Sequence, residues 1–224
     1  MAFDSEAGDL LRRGAKDLGI RLREREAKLF SHYTDLLQLW GGKMNLTSRL
    51  ETQDIIIYHF LDSLSAYRTV AGRGGKRLID IGAGAGFPAL PLKICLPGLE
   101  AHLIESSKKR VSFCREVVRR LELSGTVVLH ERGEKLCRKA EYEHSFDWAV
   151  VRAVGPADEM LRICLPFLRT GGTAILFKAL LEGDELRLLE EEALCQRASL
   201  ELLPVHVPFL DAPRTLVLAT RCST

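Results

Sequence analysis

Three glycines on alternate positions follow a short apolar run in Arg77-Leu78-Ile79-Asp80-Ile81-Gly82-Ala83-Gly84-Ala85-Gly86-Phe87-Pro88, and Asp80 stands two residues ahead of the first of them. A buried strand that ends in glycines and feeds a helix start is a turn that cradles a nucleotide-type ligand. Glycine tolerates positive φ and lets a ligand approach the backbone with no Cβ in the way. A dinucleotide site uses G-x-G-x-x-G, with the pyrophosphate on the helix N-terminus. Here the spacing is G-x-G-x-G, and an acid ahead of it suits a cationic ligand better than a phosphate. Glu105 ends the next apolar segment, roughly 20 residues on, where a carboxylate holds a ribose diol. A glycine turn alone also fits a structural bend in any α/β domain. Two carboxylate-ended strands around it point to an adenosine-type ligand.

The glycine spacing resembles motif I of the class I S-adenosylmethionine (AdoMet) methyltransferases, whose ligand carries a sulfonium and an ammonium. In such open α/β sheets the ligand lies outside the carboxyl ends of the strands, so the residues to collect are strand ends. His130-Glu131-Arg132-Gly133-Glu134 follows the third strand and would pass beside an adenine ring, although a loop acid is as readily just solvated. Arg152 ends the fourth strand and needs a partner there, either a ligand carboxylate, a phosphate or a nearby acid. Lys178 ends the fifth. The chain has Val151-Arg152-Ala153-Val154 where exocyclic amine methylation uses an Asn/Asp-Pro-Pro-aromatic turn, and no cysteine follows a proline as C5 methylation of pyrimidines requires. These absences suit an acceptor that is already a good nucleophile, and guanine N7 is one. It carries no proton to remove, so positioning and charge stabilisation suffice, without a general base.

Elements must position these groups. The chain has 224 residues, 46% apolar and 28% charged, with a net charge of +2. That suits one sizeable globular domain with a small appendage, and permits an anionic partner without arguing for one. Six cysteines with no C-x-x-C pair fit reduced, buried thiols better than zinc or disulfides. Residues 1–20 are charged throughout, and no apolar run approaches the roughly 20 residues of a membrane span. A soluble, cytoplasmic protein without metal is expected. Residues 1–72 read as a helical cap. Leu29, Phe30, Tyr33, Leu36, Leu37 and Trp40 form an amphipathic stripe that Gly41-Gly42 should stop. Residues 73–224 alternate strands and helices. Ser106 or Ser107 should cap the helix after the second strand, Gly171-Gly172 should turn into a strand at Thr173, and a terminal hairpin should close the sheet. The predicted fold is a Rossmann-like class I methyltransferase sheet with an N-terminal helical cap and an antiparallel last strand.

The whole chain resembles the RsmG/GidB family of 16S ribosomal RNA guanine-N7 methyltransferases. The likeness lies in Trp40…Asn45-Leu46-Thr47…His59…Asp62-Ser63, in the glycine loop Asp80 to Pro88, in Arg132-Gly133-Glu134, in Arg152-Ala153 and in Lys178. Ala89, Val151 and Ala179 depart from the family pattern, the first and last by a small residue in place of glycine. The resemblance implies AdoMet held by Gly82, Phe87, Gly133, Glu134 and Arg152. Asp80, Gly84, Gly86 and Glu105 join that set from the reading of the loop and the ribose acid. It implies as target the guanosine at position 527 in the 530 loop of 16S RNA, on a small ribosomal subunit or naked RNA; a monomer is expected, though the sequence does not fix the oligomeric state. Single-stranded loops suit such a reaction because their bases can be splayed out. Asn45, Thr47, His59 and Lys178 are then expected to face the guanine or its phosphate. A turn and a core histidine are the plain alternatives for the first three. Lys108, Lys109 and Arg110 would contact phosphates, or simply form a solvated helix face. Two other functions stay open on sequence alone: AdoMet-dependent methylation of another RNA, a protein or a small molecule, and a non-catalytic RNA-binding module on the same fold.

Overall fold

The computed structural model describes residues 3–44, 49–152 and 155–223. Asn45 and Thr47, singled out above, lie outside the described residues, as does Ala153. Seven strands form one sheet: β1 (Arg77–Ile81), β2 (Glu100–Glu105), β3 (Thr126–His130), β4 (Phe146–Arg152), β5 (Leu168–Lys178), β6 (Ala198–Val205) and β7 (Arg214–Arg221). Their order is β3-β2-β1-β4-β5-β7-β6. The first five strands are parallel, and β7 runs antiparallel to both β5 and β6. The strand order reverses between β1 and β4, which opens a crevice at their carboxyl ends.

Each central strand sends alternate side chains to opposite faces, as the two-residue strand period demands. Leu78, Leu103, Trp148, Val150 and Ile175 enter one core, and Ile79, Ile81, Ile104, Ala149 and Leu176 the other. The second core is covered by the helices Ala157–Cys164 and Gly183–Cys195. The first is covered by the helices Ala89–Cys95 and Lys108–Arg120 and by the N-terminal helices. α1 (Ser5–Asp17) starts at Asp4, whose side chain accepts the Ala7 N–H at 2.7 Å. α2 (Glu24–Met44) buries Phe30, Tyr33 and Leu37 completely, one stripe at spacings of three and four. The described N-terminal helices therefore share a core with the sheet.

Three local expectations need correction. α2 does not stop at Gly41-Gly42 but runs through them to Met44. Gly41 is there for close packing, since a Cβ would stand 2.3 Å from Leu50 Cδ2. No side chain caps the helix Lys108–Arg120; the Glu105 carboxylate instead accepts the N–H of Ser107, the residue just before it, at 2.8 Å. β5 begins at Leu168 rather than Thr173, passing through Gly171-Gly172 with a register irregularity against β4 between Phe146 and Trp148. The thiols are unpaired, as expected, but Cys195 and Cys222 are exposed while Cys114 and Cys164 are buried.

Candidate functional site

The glycine loop leaves β1 over the end of β2. The N–H groups of Gly82 and Ala83 both donate to the Ile104 carbonyl, at 2.9 and 3.0 Å. Glu105, only 4% exposed, fixes the next turn: its Oε2 accepts the Gly84 N–H at 2.9 Å. One carboxylate thus ties the loop to the start of the following helix. Gly86 has φ +94°, and a Cβ there would meet Leu90 at 2.3 Å and the Tyr33 hydroxyl at 2.6 Å. That position requires glycine on both counts. From α2, Tyr33 reaches the same turn and donates its hydroxyl to the Ala85 carbonyl.

Asp80 is fully buried beneath the loop. Its Oδ2 accepts the Ala89 N–H at 3.0 Å, while Oδ1 has no partner. Burial pushes its pKa up to about 7, against the opposing pull of the Ala89 N–H and of Arg152. A cationic group brought near that carboxylate would return it to its ionised form.

A cleft of about 340 Å³ opens beside the loop, lined by Ile81, Gly82, Ile104, Glu105, the 131–134 loop, Met160 and Ile163. It offers apolar walls and a carboxylate, a combination that suits an adenosine-type ligand. The cleft brings together Gly82, Glu105, Gly133 and Glu134 from the expected set.

A larger cleft of about 860 Å³ lies at the ends of β4 and β5. Arg49, Arg152, Lys178 and Arg214 set its character, against Asp62 and Asp211. Asp62 is the hub: Arg152 donates to its Oδ2 at 2.9 Å and Arg214 to its Oδ1 at 3.0 Å. Arg152 also donates to the Tyr58 carbonyl at 3.1 Å and to His59 Nδ1 at 3.3 Å. His59 sits in a π-helical turn, Ile55–Leu61, within the continuous helix 52–64; such turns recur at functional sites. Burial, then Arg152 and Arg49, hold its pKa down to about 3, so the imidazole is neutral at physiological pH. Lys178 donates to the Gly155 carbonyl at 2.9 Å and pairs with Glu185 at 2.5 Å.

Phe87 backs the larger cleft through His59 and Arg152. It closes the glycine loop, its ring stacks on His59 with 4.7 Å between centroids, and the Arg152 guanidinium lies 5.0 Å above that ring. Arg152, expected on the cofactor, thus lines the larger cleft with His59 and Lys178. Gly84, Gly86 and Asp80 shape the loop from behind. Sequence reasoning had no signal for Asp62 as the partner of two arginines or for Arg214, 152 residues away in the chain. Among the described residues no helix is long and apolar enough to cross a membrane, and no group of three or more His, Cys, Asp or Glu could hold a metal.

Residues 26–216 match the model of the GidB family, described as rRNA small subunit methyltransferase G. The chain belongs to the GidB family. It is 38% identical over 205 residues to the ribosomal RNA small subunit methyltransferase G of Lachnoclostridium phytofermentans, covering 91% of this chain and 85% of that one. It is 37% identical over 220 residues to the protein of the same name from Caldanaerobacter subterraneus subsp. tengcongensis, covering 95% and 89%. Among solved structures, the magnesium protoporphyrin IX methyltransferase of Synechocystis with bound SAM superimposes at TM-score 0.58 with 15% identity, over 84% of this chain and 97% of that one. YcgJ of Bacillus subtilis gives TM-score 0.58 with 12% identity, over 74% and 100%. These two likenesses are of fold, and the GidB chain described here has the class I methyltransferase sheet that its glycine spacing predicts.

Proposed function

We propose that this GidB-family chain transfers the methyl group of S-adenosylmethionine to N7 of a guanine in 16S ribosomal RNA, the guanosine at position 527 of the 530 loop. The family supports an AdoMet-dependent rRNA methyltransferase. The observation that carries the rest is a cation-rich cleft, lined by Arg49, His59, Arg152, Lys178 and Arg214, whose His59 stacks on Phe87 at the end of the glycine loop. The buried, unpartnered Asp80 Oδ1 beneath the loop supports a ligand that carries positive charge.

S-adenosylmethionine, when bound, supplies a methyl group activated by its sulfonium. Glu105 would hold the ribose, with Gly82, Gly133 and Glu134 around the adenosine and with Gly84, Gly86, Phe87 and Asp80 forming the cradle beneath. Arg152, fixed by Asp62 over the Phe87 ring, would stand where the two ligands meet. His59, neutral and flat on Phe87, extends a surface against which a purine can lie. Lys178 and Arg214 would neutralise the phosphates that flank it. The guanine N7 lone pair forms the new N–CH₃ bond as the S–CH₃ bond breaks. No proton moves, so no residue here needs to act as a base. The chain's work is to exclude water and hold the reacting atoms in line. Asn45 and Thr47 are assigned to the guanine by family resemblance alone.

We assign the protein to the cytoplasm as a monomer acting on the small subunit; six unpaired thiols suit a reducing compartment. Residues 1–72 would serve as a cap that braces the loop through Tyr33. Methyl transfer from labelled AdoMet to purified small subunits and to naked 16S RNA tests this. Transfer to at least one is expected, and transfer to neither, with AdoMet still bound, contradicts the ribosomal substrate.

A further inference from the structure

The segment between β6 and β7 is anchored by Val207, 1% exposed, and Leu210, 6% exposed, with the Leu210 N–H donating to the Val207 carbonyl at 3.1 Å. Between them Phe209 is 40% exposed and sits at φ +65°. A bulky side chain in the left-handed region is an outlier that persists only where its surroundings enforce it. Tight anchoring on both sides thus holds one large ring outward instead of burying it. The ring is common to two clefts: the cation-rich one, and a neighbouring acidic one in which Arg13 stands among Asp4, Glu6, Asp9, Glu51 and Asp54, so RNA would approach the ring from the cation-rich side. The Arg13 guanidinium lies 5.4 Å from the ring centroid, and Arg13 does not line the cation-rich cleft.

We propose that Phe209 is a stacking platform for an unpaired base of the RNA adjacent to the guanine being methylated. This rests on the RNA-methylating function proposed above and names a contact within it. A base splayed from a loop offers an apolar face, and an aromatic side chain beside cations that hold the backbone is the usual way to receive one. His59 and Phe209 line the same cleft, so the target and its neighbour each have a ring to lie on. Phe209 positions RNA and takes no part in bond making.

The test compares wild type with Phe209→Ala, Phe209→Gly and Phe209→Trp, using tritiated AdoMet, 16S RNA and small subunits. Phe209→Ala should raise the KM for RNA by about tenfold, leaving the KM for AdoMet and the melting temperature unchanged. Phe209→Gly, which the backbone accepts at positive φ, should show the same defect, and Phe209→Trp should restore binding. Wild-type KM for RNA in the alanine and glycine variants overturns the platform, as does a parallel loss of AdoMet affinity and melting temperature in both. If wild type transfers no methyl group to any RNA, the enzymatic function itself fails. Equal affinity of wild type and Phe209→Ala for a labelled single-stranded RNA then overturns the platform separately.

Discussion

The His59 imidazole lies flat against the ring of Phe87, 4.7 Å between centroids and 9° between planes. One residue belongs to the N-terminal helices and the other to the glycine loop, so the loop is packed directly against the wall of the cation-rich cleft. Arg152 touches both rings and is itself held by Asp62.

Removing the hub should therefore cost both stability and activity. Asp62→Ala leaves two guanidiniums without their shared carboxylate in a largely buried place. A loss of about 3 kcal/mol in urea unfolding is expected, the usual result of breaking a buried pair. Arg152→Ala should lower methyl transfer strongly, and Arg152→Lys should not restore it. A lysine cannot reach Tyr58 O, Asp62 and His59 together as a planar fork does. Normal turnover in the alanine variant with normal AdoMet affinity would remove Arg152 from the site.

Two buried groups give opposite pH slopes in the apo protein. Asp80, raised from 3.8 to about 7, binds more proton in the folded than the unfolded state, so its contribution is present below pH 4 and is lost as pH rises toward 7. His59, lowered from 6.5 to about 3, binds less, so its contribution is present above pH 6.5 and is lost as pH falls toward 3. The two cancel in part. Asp80→Asn should therefore leave stability rising from pH 4 to 6.5, and His59→Gln should leave it falling over the same range. Denaturant midpoints measured across that window check both signs, and identical profiles in all three proteins would reject the shifts.

Glu105→Gln tests the double role of that carboxylate. A glutamine oxygen can accept from Gly84 or from Ser107 but not from both, and its amide hydrogens would face the other N–H. Stability should fall by about 1–3 kcal/mol and AdoMet affinity by roughly tenfold or more. Calorimetric unfolding and titration with AdoMet measure the two effects, and unchanged AdoMet affinity would take Glu105 off the ribose.

Tyr33→Phe removes one hydroxyl and leaves the Ala85 carbonyl buried without its donor. The cost should be about 1–3 kcal/mol, read as a drop of roughly 2–4 °C in melting temperature for each kcal/mol in a chain of this size. AdoMet affinity should fall with it. An unchanged affinity would show that the N-terminal helices do not brace the loop.

What the sequence made legible was local. Strand periodicity, the glycine spacing, Asp80 and Glu105 all declare themselves within about 30 residues, and the strand order follows from short right-handed crossovers. Gly41 and Gly172 mark close approaches, not ends of elements, and glycine carries both meanings with the same letter. Leu50, which decides the matter at Gly41, comes nine residues later. The Ser107 side chain makes no cap hydrogen bond, and the spacing of residues alone does not show that the Glu105 carboxylate would take the Ser107 N–H. Asp62 and Arg214 meet only once β7 is paired in the sheet, and Phe209 lines the same cleft. No pattern in the chain pairs residues 62 and 214.

The most direct measurement is to identify the labelled nucleoside after transfer from tritiated AdoMet to 16S RNA. Digestion and chromatography should place the label in 7-methylguanosine from a single position in the 530 loop. Label in any other nucleoside, or at another guanine, would contradict the account of a cleft that positions one unprotonated N7 without a base.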